Sequence, residues 1–286
     1  MKNMRFLEIL KLYRFKNFRA YLLIFFLGFI SLGDLKLLLT KEFFLLTISM
    51  ICYLAFGFSI NECFDVEEDR VKGKKTLVTE GKIYFKECLL LSSIPLIIGI
   101  SLSFRLGTKV FLYFLLMNFL AFFYSAKPIR FKSKPFFDLI THSLFLGSLI
   151  LIYPAIAFEK MPNPILISSI TLHSIIFELR NHLEDYEADK KAGVKTTVVF
   201  LGKKKSEKLT SFLCKIYPIF LILLFYNFPL LLPLIFLISL IYLYKFSKTK
   251  NYRIFDYYSN LVYLIFSIIV AGQTFITPSV FSNFWM

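Results

Sequence analysis

Cysteine is scarce in this 286-residue chain, and its four copies are badly placed for metal chemistry. Cys52, Cys63, Cys88 and Cys214 show no C-x-x-C spacing and fall in or beside apolar runs, which argues against a zinc site and against disulfides. There are only three histidines, and His173 and His182 have no partner spacing that suggests a metal site. Gln occurs once, as Gln273; with abundant Lys and Glu this is a thermophile-like composition, although a biased genome gives the same picture. Linkers and long polar stretches are also missing, so no soluble domain is available to present a nucleic-acid surface. Acidic residues are in the minority, 19 against 34 Lys and Arg, for a net charge of +15.

What fills the chain instead is apolar sequence. It is 57% hydrophobic with a mean hydropathy of +0.66, well above soluble-domain usage. Apolar runs of about 20 residues, each enough to cross a bilayer core of about 30 Å, predict nine spans. They lie at about 15–33, 43–63, 86–104, 108–126, 137–158, 164–183, 209–226, 229–246 and 258–277. The expected fold is therefore all-α: a polytopic membrane protein of nine transmembrane helices, one membrane-embedded domain over 1–286. Pro95, Pro154, Pro218 and Pro233 fall within spans and are expected to kink helices. The basic N-terminal segment lacks a small-residue cleavage site after the first apolar run, so an uncleaved anchor is expected.

Basic residues orient the chain. The N-terminal segment and the loops after spans two, four, six and eight hold 28 of them, against five in the opposite loops. Cytoplasmic loops carry the excess of Lys and Arg, so the N-terminus is expected inside the cell membrane and the C-terminus outside. Such a charged face suits anionic headgroups or a phosphorylated ligand.

The strongest chemical signal is a repeat. NECFDVEEDRVKGKKT at 61–76 and NHLEDYEADKKAGVKT at 181–196 align without gaps on Asn, Asp, Glu, Asp, Gly, Lys and Thr. Asn61, Asp65 and Asp69 recur as Asn181, Asp185 and Asp189, at steps that keep three polar groups on one helix stripe. Four spans separate the copies, so both fall on one membrane side. This predicts two four-helix pseudo-repeats plus one helix, packed around a central cavity. Carboxylates at helix C-termini face like partial charge, a cost that a bound cation offsets. Two such stripes would form an oxygen cage for a hard divalent cation such as Mg²⁺.

Basic loops accompany the acids. Lys74 and Lys75 come within two turns of Asp69 and are positioned to clamp a diphosphate, although the positive-inside bias alone explains much of this charge. A third basic element, 123–143, brings Tyr124, Lys127, Arg130 and Lys132 to the same face, followed by Asp138 and His142 at hydrogen-bonding i, i+4 spacing. Span six carries Glu178, Arg180 and His182 near its inner end; Glu178 falls close to the acidic stripe and Arg180 points away, towards another helix or the headgroups, or else the two form a structural pair. The 36 Phe are mostly lipid-facing packing, but aromatic cavity walls also stabilise a carbocation.

Together, N-E-C-F-D-V-E-E-D at 61–69, T-L-V-T-E-G-K-I at 76–83, Y-S-A-K-P-I-R-F-K at 124–132 and D-Y-E-A-D-K-K-A-G-V-K-T-T at 185–197 resemble the UbiA superfamily of intramembrane prenyltransferases, from about residue 14 onward. The resemblance implies a two-Mg²⁺ site for an isoprenyl diphosphate. It implies Asn61, Asp65 and Asp69 as one ligand set, and Asp185 and Asp189, helped by Asn181, as the other. It also implies a basic clamp from Lys74, from Tyr124 with either Lys127 or Lys132, and from Arg14 or Asn17 on the first helix. The acceptor would be a hydrophobic, aromatic or lipid molecule reached from the bilayer. The rival reading is a multi-span cation transporter with paired acids, but transporter sites lie near the midplane and not beside lysines at the membrane edge.

Overall fold

The computed structural model describes residues 9–273, and all regular structure among them is helical. The principal helices are α1 (Phe18–Ile30), α2 (Lys41–Phe64), α3 (Val66–Val71), α4 (Phe85–Arg105), α5 (Thr108–Ser125) and α6 (Phe137–Phe158). They continue as α7 (Pro164–Glu184), α8 (Tyr186–Lys191), α9 (Thr197–Leu201), α10 (Lys203–Leu224), α11 (Leu232–Thr249) and α12 (Tyr252–Gln273). Residues 274–277 of the last expected span, and 1–8 of the expected anchor, lie outside the described residues.

Six of these helices are long and apolar enough to cross a membrane: α2, α4, α5, α6, α11 and α12. The three other expected spans coincide with helices outside that set. α1 has only 13 residues, α7 carries Glu178, Arg180 and His182, and α10 opens on Lys203, Lys204, Lys205, Glu207 and Lys208. The burial pattern suits a lipid environment. Leu90, Ile97, Leu112, Leu234 and Ile268 point outward, while Asp65, Asp69, Asp138, Glu178 and Asp189 are buried.

Local signals start the helices. Thr40 accepts from the Phe43 N–H at the start of α2, and Asn163, followed by Pro164 at the first helical position, accepts from Ile165 N–H at the start of α7. Pro95, Pro154 and Pro218 lie inside helices as expected, but Pro233 does not. It sits in the first turn of α11, where a missing N–H costs nothing. Two apolar cores hold the bundle. One joins α1, α2, α5 and α6 through Phe25, Met50, Tyr53, Phe114 and Tyr153; the other joins α7, α10, α11 and α12 through Leu166, Tyr217, Phe246, Phe255 and Phe266. α1 approaches α6 so closely that a Cβ on Gly28 would lie 2.2 Å from the Leu151 carbonyl oxygen, which only glycine tolerates.

The expectation of no disulfide is overturned: Cys63 and Cys88 are paired. Cys63 closes α2 and Cys88 opens α4, and these helices pack side by side across the 65–84 connection, so the two thiols meet despite their uninformative spacing. Cys52 and Cys214 are free and buried.

Candidate active site

The two acidic motifs fold alike. α2 and α7 each bend at the first aspartate, with Asp65 at φ −93°, ψ 20° and Asp185 at φ −88°, ψ 0°. Helical hydrogen bonding nonetheless passes through each bend. Asp65 N–H donates to Asn61 C=O (2.9 Å) and Asp69 N–H to Asp65 C=O (2.8 Å); Asp185 and Asp189 repeat this to Asn181 and Asp185 at 3.0 and 2.9 Å. The stripe read from the sequence therefore survives the bend. Each short helix then stops on a glycine with positive φ, Gly73 (66°) or Gly193 (71°). The next N–H, of Lys74 or Val194, returns to the carbonyl of Asp69 or Asp189 at 2.8 and 2.9 Å. This is the Schellman closure that a left-handed glycine permits, and it explains why Gly belongs to the repeat.

Both motifs open onto one cavity of about 380 Å³. Its mouth is lined by Asn61, Asp65 and Asp69 from one side and Asn181, Asp185 and Asp189 from the other. Arg14, Asn17, Lys72, Lys74 and Lys132 share that rim, and the rest of the lining mixes aromatic and aliphatic side chains with the polar Tyr124, His142, Glu178 and His182. Lys132 is buried and its Nζ lies 2.5 Å from Asp65 Oδ2; Arg130 reaches the other Asp65 oxygen at 3.2 Å and also pairs with Glu68. Lys74 pairs with Asp69 at 3.0 Å, and Arg14 with Glu62 at 3.0 Å and Asp69 at 3.6 Å. Lys127 and Lys75 are exposed and do not line the cavity. Of the two lysines left open by the sequence, Lys132 is the one at the site.

Lys72 was not singled out by the sequence, yet it joins the motifs. From the end of α3 its Nζ crosses to Asp185 (2.7 Å) and Asp189 (3.4 Å). Burial alone would raise the Asp65 pKa, but Lys132 and Arg130 hold it below the ordinary carboxylate value. Burial likewise opposes the charge on Lys132, and Asp65 and Glu68 more than offset it, so its pKa is raised. Asp189 differs. Its burial outweighs the help of Lys72, Lys132 and His182, and its pKa is raised.

The donor set fits a divalent cation. Asp69 Oδ2 and both carboxylate oxygens of Asp189 are buried without a hydrogen-bond partner; Arg14 faces Asp69 Oδ2 at 3.6 Å and Lys72 faces Asp189 Oδ1 at 3.4 Å, contacts too long to satisfy them, so these oxygens are available to a bound cation. Among the described residues no three His, Cys, Asp or Glu side chains converge tightly enough to hold a metal by themselves. The expected cage is thus opened by interleaved lysines. That suits Mg²⁺, which is usually held by one or two carboxylates together with substrate phosphates and water.

Below the second motif lies a polar hub the sequence only hinted at. Glu178 accepts from the Tyr124 hydroxyl and from Asn181 Nδ2 (3.1 Å), and lies 3.2 Å from His142 Nε2 and 3.0 Å from His182 Nε2. Of the two readings of Arg180, the structural pair with Glu178 does not form: Arg180 points away to another helix, in a bidentate pair with Asp256 (2.6 and 3.2 Å), its guanidinium 5.0 Å from the Tyr252 ring centroid. Nor do Asp138 and His142 bond to each other. Asp138 accepts from Thr197 N–H (2.6 Å), the Thr197 hydroxyl and Leu139 N–H (2.9 Å), and His142 Nδ1 instead meets Ser174 Oγ at 3.2 Å.

A helical membrane protein with two like acidic motifs facing each other across a lysine-rimmed cavity is a narrow class. The sequence model of the UbiA prenyltransferase family matches residues 21–268, and the chain belongs to that family. It is 30% identical over 170 residues to the digeranylgeranylglyceryl phosphate synthase of Pyrococcus horikoshii, covering 58% of this chain and 60% of that one. It is 29% identical over 202 residues to the synthase of the same name from Sulfurisphaera tokodaii, covering 69% of each. The chain spans about three fifths of the length of the Pyrococcus and Thermococcus relatives it matches. Its fold is shared with a UbiA homolog from Archaeoglobus fulgidus bound to GPP and Mg²⁺ (TM-score 0.68, 22% identity, 93% of this chain and 99% of that one). It is shared too with an apo UbiA homolog from Aeropyrum pernix K1 (TM-score 0.64, 17% identity, 88% and 96%).

Proposed function

We propose that this protein is a Mg²⁺-dependent intramembrane prenyltransferase that moves an isoprenyl group from its diphosphate to a lipid acceptor. The observation that carries this reading is one cavity with both acidic motifs and four basic side chains at its rim and with Leu54, Phe58, Phe145 and Leu146 among its walls. Diphosphate chemistry belongs at the rim and an isoprenyl chain along those apolar walls. A transported cation would be repelled by Lys72, Lys74 and Lys132, which stand among the acids at the rim.

In this reading Asp65, Asp69, Asp185 and Asp189, with Asn61 and Asn181, hold the metal against the diphosphate. Bound Mg²⁺ would supply Lewis-acid neutralisation of the departing pyrophosphate. Lys132, Lys72 and Lys74 then exchange carboxylate partners for diphosphate oxygens and spread the leaving-group charge. The C1–O bond breaks, the allylic cation is shielded by aromatic walls such as Phe58 and Phe145, and an acceptor oxygen or carbon bonds to C1 and sheds a proton. The names of the relatives favour a glycerol-phosphate ether lipid as acceptor. Incubating the purified protein with labelled isoprenyl diphosphates, Mg²⁺ and a panel of acceptors should give a prenylated product with at least one of them. Product formed equally well in excess chelator would refute the reading.

We further propose that the whole chain is one membrane domain, that α1, α7 and α10 cross with the six apolar helices, and that the halves containing α2 and α7 are parallel repeats. The cavity mouth and N-terminus would then face the cytoplasm, in line with the distribution of Lys and Arg. Lys75 and Lys195 are exposed beside the two motifs, and the native cysteines are buried or paired. Lys75→Cys and Lys195→Cys are therefore expected to react with a membrane-impermeant thiol reagent in inside-out vesicles only. Labelling of the two from opposite sides would rule out a shared site.

A further inference from the structure

We propose that Gly57 and Ala121 set the width, and Tyr53 the depth, of the compartment that receives the isoprenyl chain, so that these three residues select donor length. This rests on the prenyltransferase reading of the same cavity.

α2 is a measuring rod. Asp65, Asn61, Gly57 and Tyr53, spaced every four residues, all line the cavity. At 1.5 Å per residue, Gly57 lies roughly 12 Å and Tyr53 roughly 18 Å below Asp65 along the helix. Side-chain character changes with depth from carboxylate to amide, then to no side chain at all, then to an aromatic ring. A Cβ built on Gly57 would find only one heavy atom within 4 Å, the Cβ of Ala121 at 3.9 Å. That distance is van der Waals contact, so α2 and α5 meet at this level, and the bare backbone of Gly57 and the methyl of Ala121 together form a low stretch of the cavity wall. The bulky neighbour at that level, Phe58, is turned toward α1, with ring centroids 5.7 Å from Phe18 and 5.8 Å from Tyr21.

Tyr53 closes the compartment and is held in place. Its hydroxyl donates to the Phe145 carbonyl at 2.5 Å, within the π-helical turn Leu144–Ser148 of α6, and its ring packs 6.3 Å from that of Phe114. A π turn displaces backbone carbonyls from regular pairing, and here one of them anchors the floor.

One helical turn, about 5.4 Å, is close to the length of one extended isoprenyl unit. A chain of one or two units bound at Asp65 ends above or at Gly57; only longer chains run past the Gly57–Ala121 wall and approach Tyr53. A larger side chain on that wall should therefore penalise long donors and spare short ones, because only the long ones lose buried apolar area. Removing the Tyr53 ring should act in the opposite direction.

The test is the affinity of purified protein, in Mg²⁺, for dimethylallyl, geranyl, farnesyl and geranylgeranyl diphosphates, measured by titration calorimetry. Gly57→Leu and Ala121→Leu should each weaken farnesyl diphosphate by at least about tenfold while leaving dimethylallyl diphosphate within about threefold. Tyr53→Ala should raise the affinity for geranylgeranyl relative to farnesyl diphosphate. Gly57→Ala, which adds one methyl where 3.9 Å is available, folds even if the leucine variants do not, and should shift the farnesyl-to-dimethylallyl ratio the same way by a smaller factor. Equal effects on all donors, or an unchanged ratio in Gly57→Ala, would overturn the length selector alone. Absence of Mg²⁺-dependent binding of any donor to the wild type would instead overturn the prenyltransferase reading.

Discussion

Asp65→Asn and Asp185→Asn are each expected to reduce turnover to at most about one thousandth of wild type, while the protein still inserts and folds. Each removes one anionic oxygen donor from a hard cation and leaves the side-chain volume unchanged. The two variants differ in side effects. Asp65 is buried and holds both Lys132 and Arg130, so its loss also takes the carboxylate from Lys132 and leaves Arg130 with Glu68 alone. Asp185 is 43% exposed and holds only Lys72, at 2.7 Å, so Asp185→Asn is the cleaner probe of metal binding. Activity is measured at saturating Mg²⁺, with thermal denaturation as the check on folding. Wild-type-like turnover in Asp185→Asn would remove the second motif from the metal site.

Lys132→Ala is expected to lower kcat/KM by about 10²–10³, and Lys127→Ala to leave it within about threefold. Lys132 is buried at the cavity rim, 2.5 Å from Asp65, and is the side chain best placed to pass from carboxylate to diphosphate; Lys127 is exposed and off the cavity. Lys74→Ala should have an intermediate effect, felt mainly as weaker donor binding, because Lys74 is 44% exposed and its charge is more screened. Steady-state kinetics on the three variants, with donor and acceptor varied separately, checks the order. A larger loss in Lys127→Ala than in Lys132→Ala would move the clamp elsewhere.

The repeat made much of the site legible. Asn61, Asp65 and Asp69 and their counterparts lie on one cavity because i, i+4 spacing is a local property, and the backbone preserves it through both bends. The glycines were visible in the alignment, but their purpose appears only when the positive φ and the returning N–H are seen together. What the sequence could not show was contact between distant elements. Lys72 sits in the basic run beside Lys74 and Lys75, and nothing local says that it, and not they, reaches across to Asp185. Glu178 lies one turn before Asn181, which was a hint, yet its partners Tyr124 and His142 come from other helices. Arg180 points away from Glu178, because positions two apart on a helix do not face each other, but that its partner is Asp256 on α12 was not legible. Cys63 and Cys88 meet for the same non-local reason. Hydropathy located the helices well, but the charges carried by α7 and α10 lower their apolar signal.

Mn²⁺ in place of Mg²⁺, followed by electron paramagnetic resonance, tests the shared metal site most directly. Purified protein is titrated with Mn²⁺ with and without geranyl thiodiphosphate, a donor whose leaving group departs slowly. A site built from two carboxylate motifs with interleaved lysines should bind Mn²⁺ tightly only when the diphosphate is present, and should lose that binding in Asp65→Asn and in Asp185→Asn alike. Tight Mn²⁺ binding without the diphosphate, or binding unaffected by either substitution, would contradict a metal site shared by the two motifs.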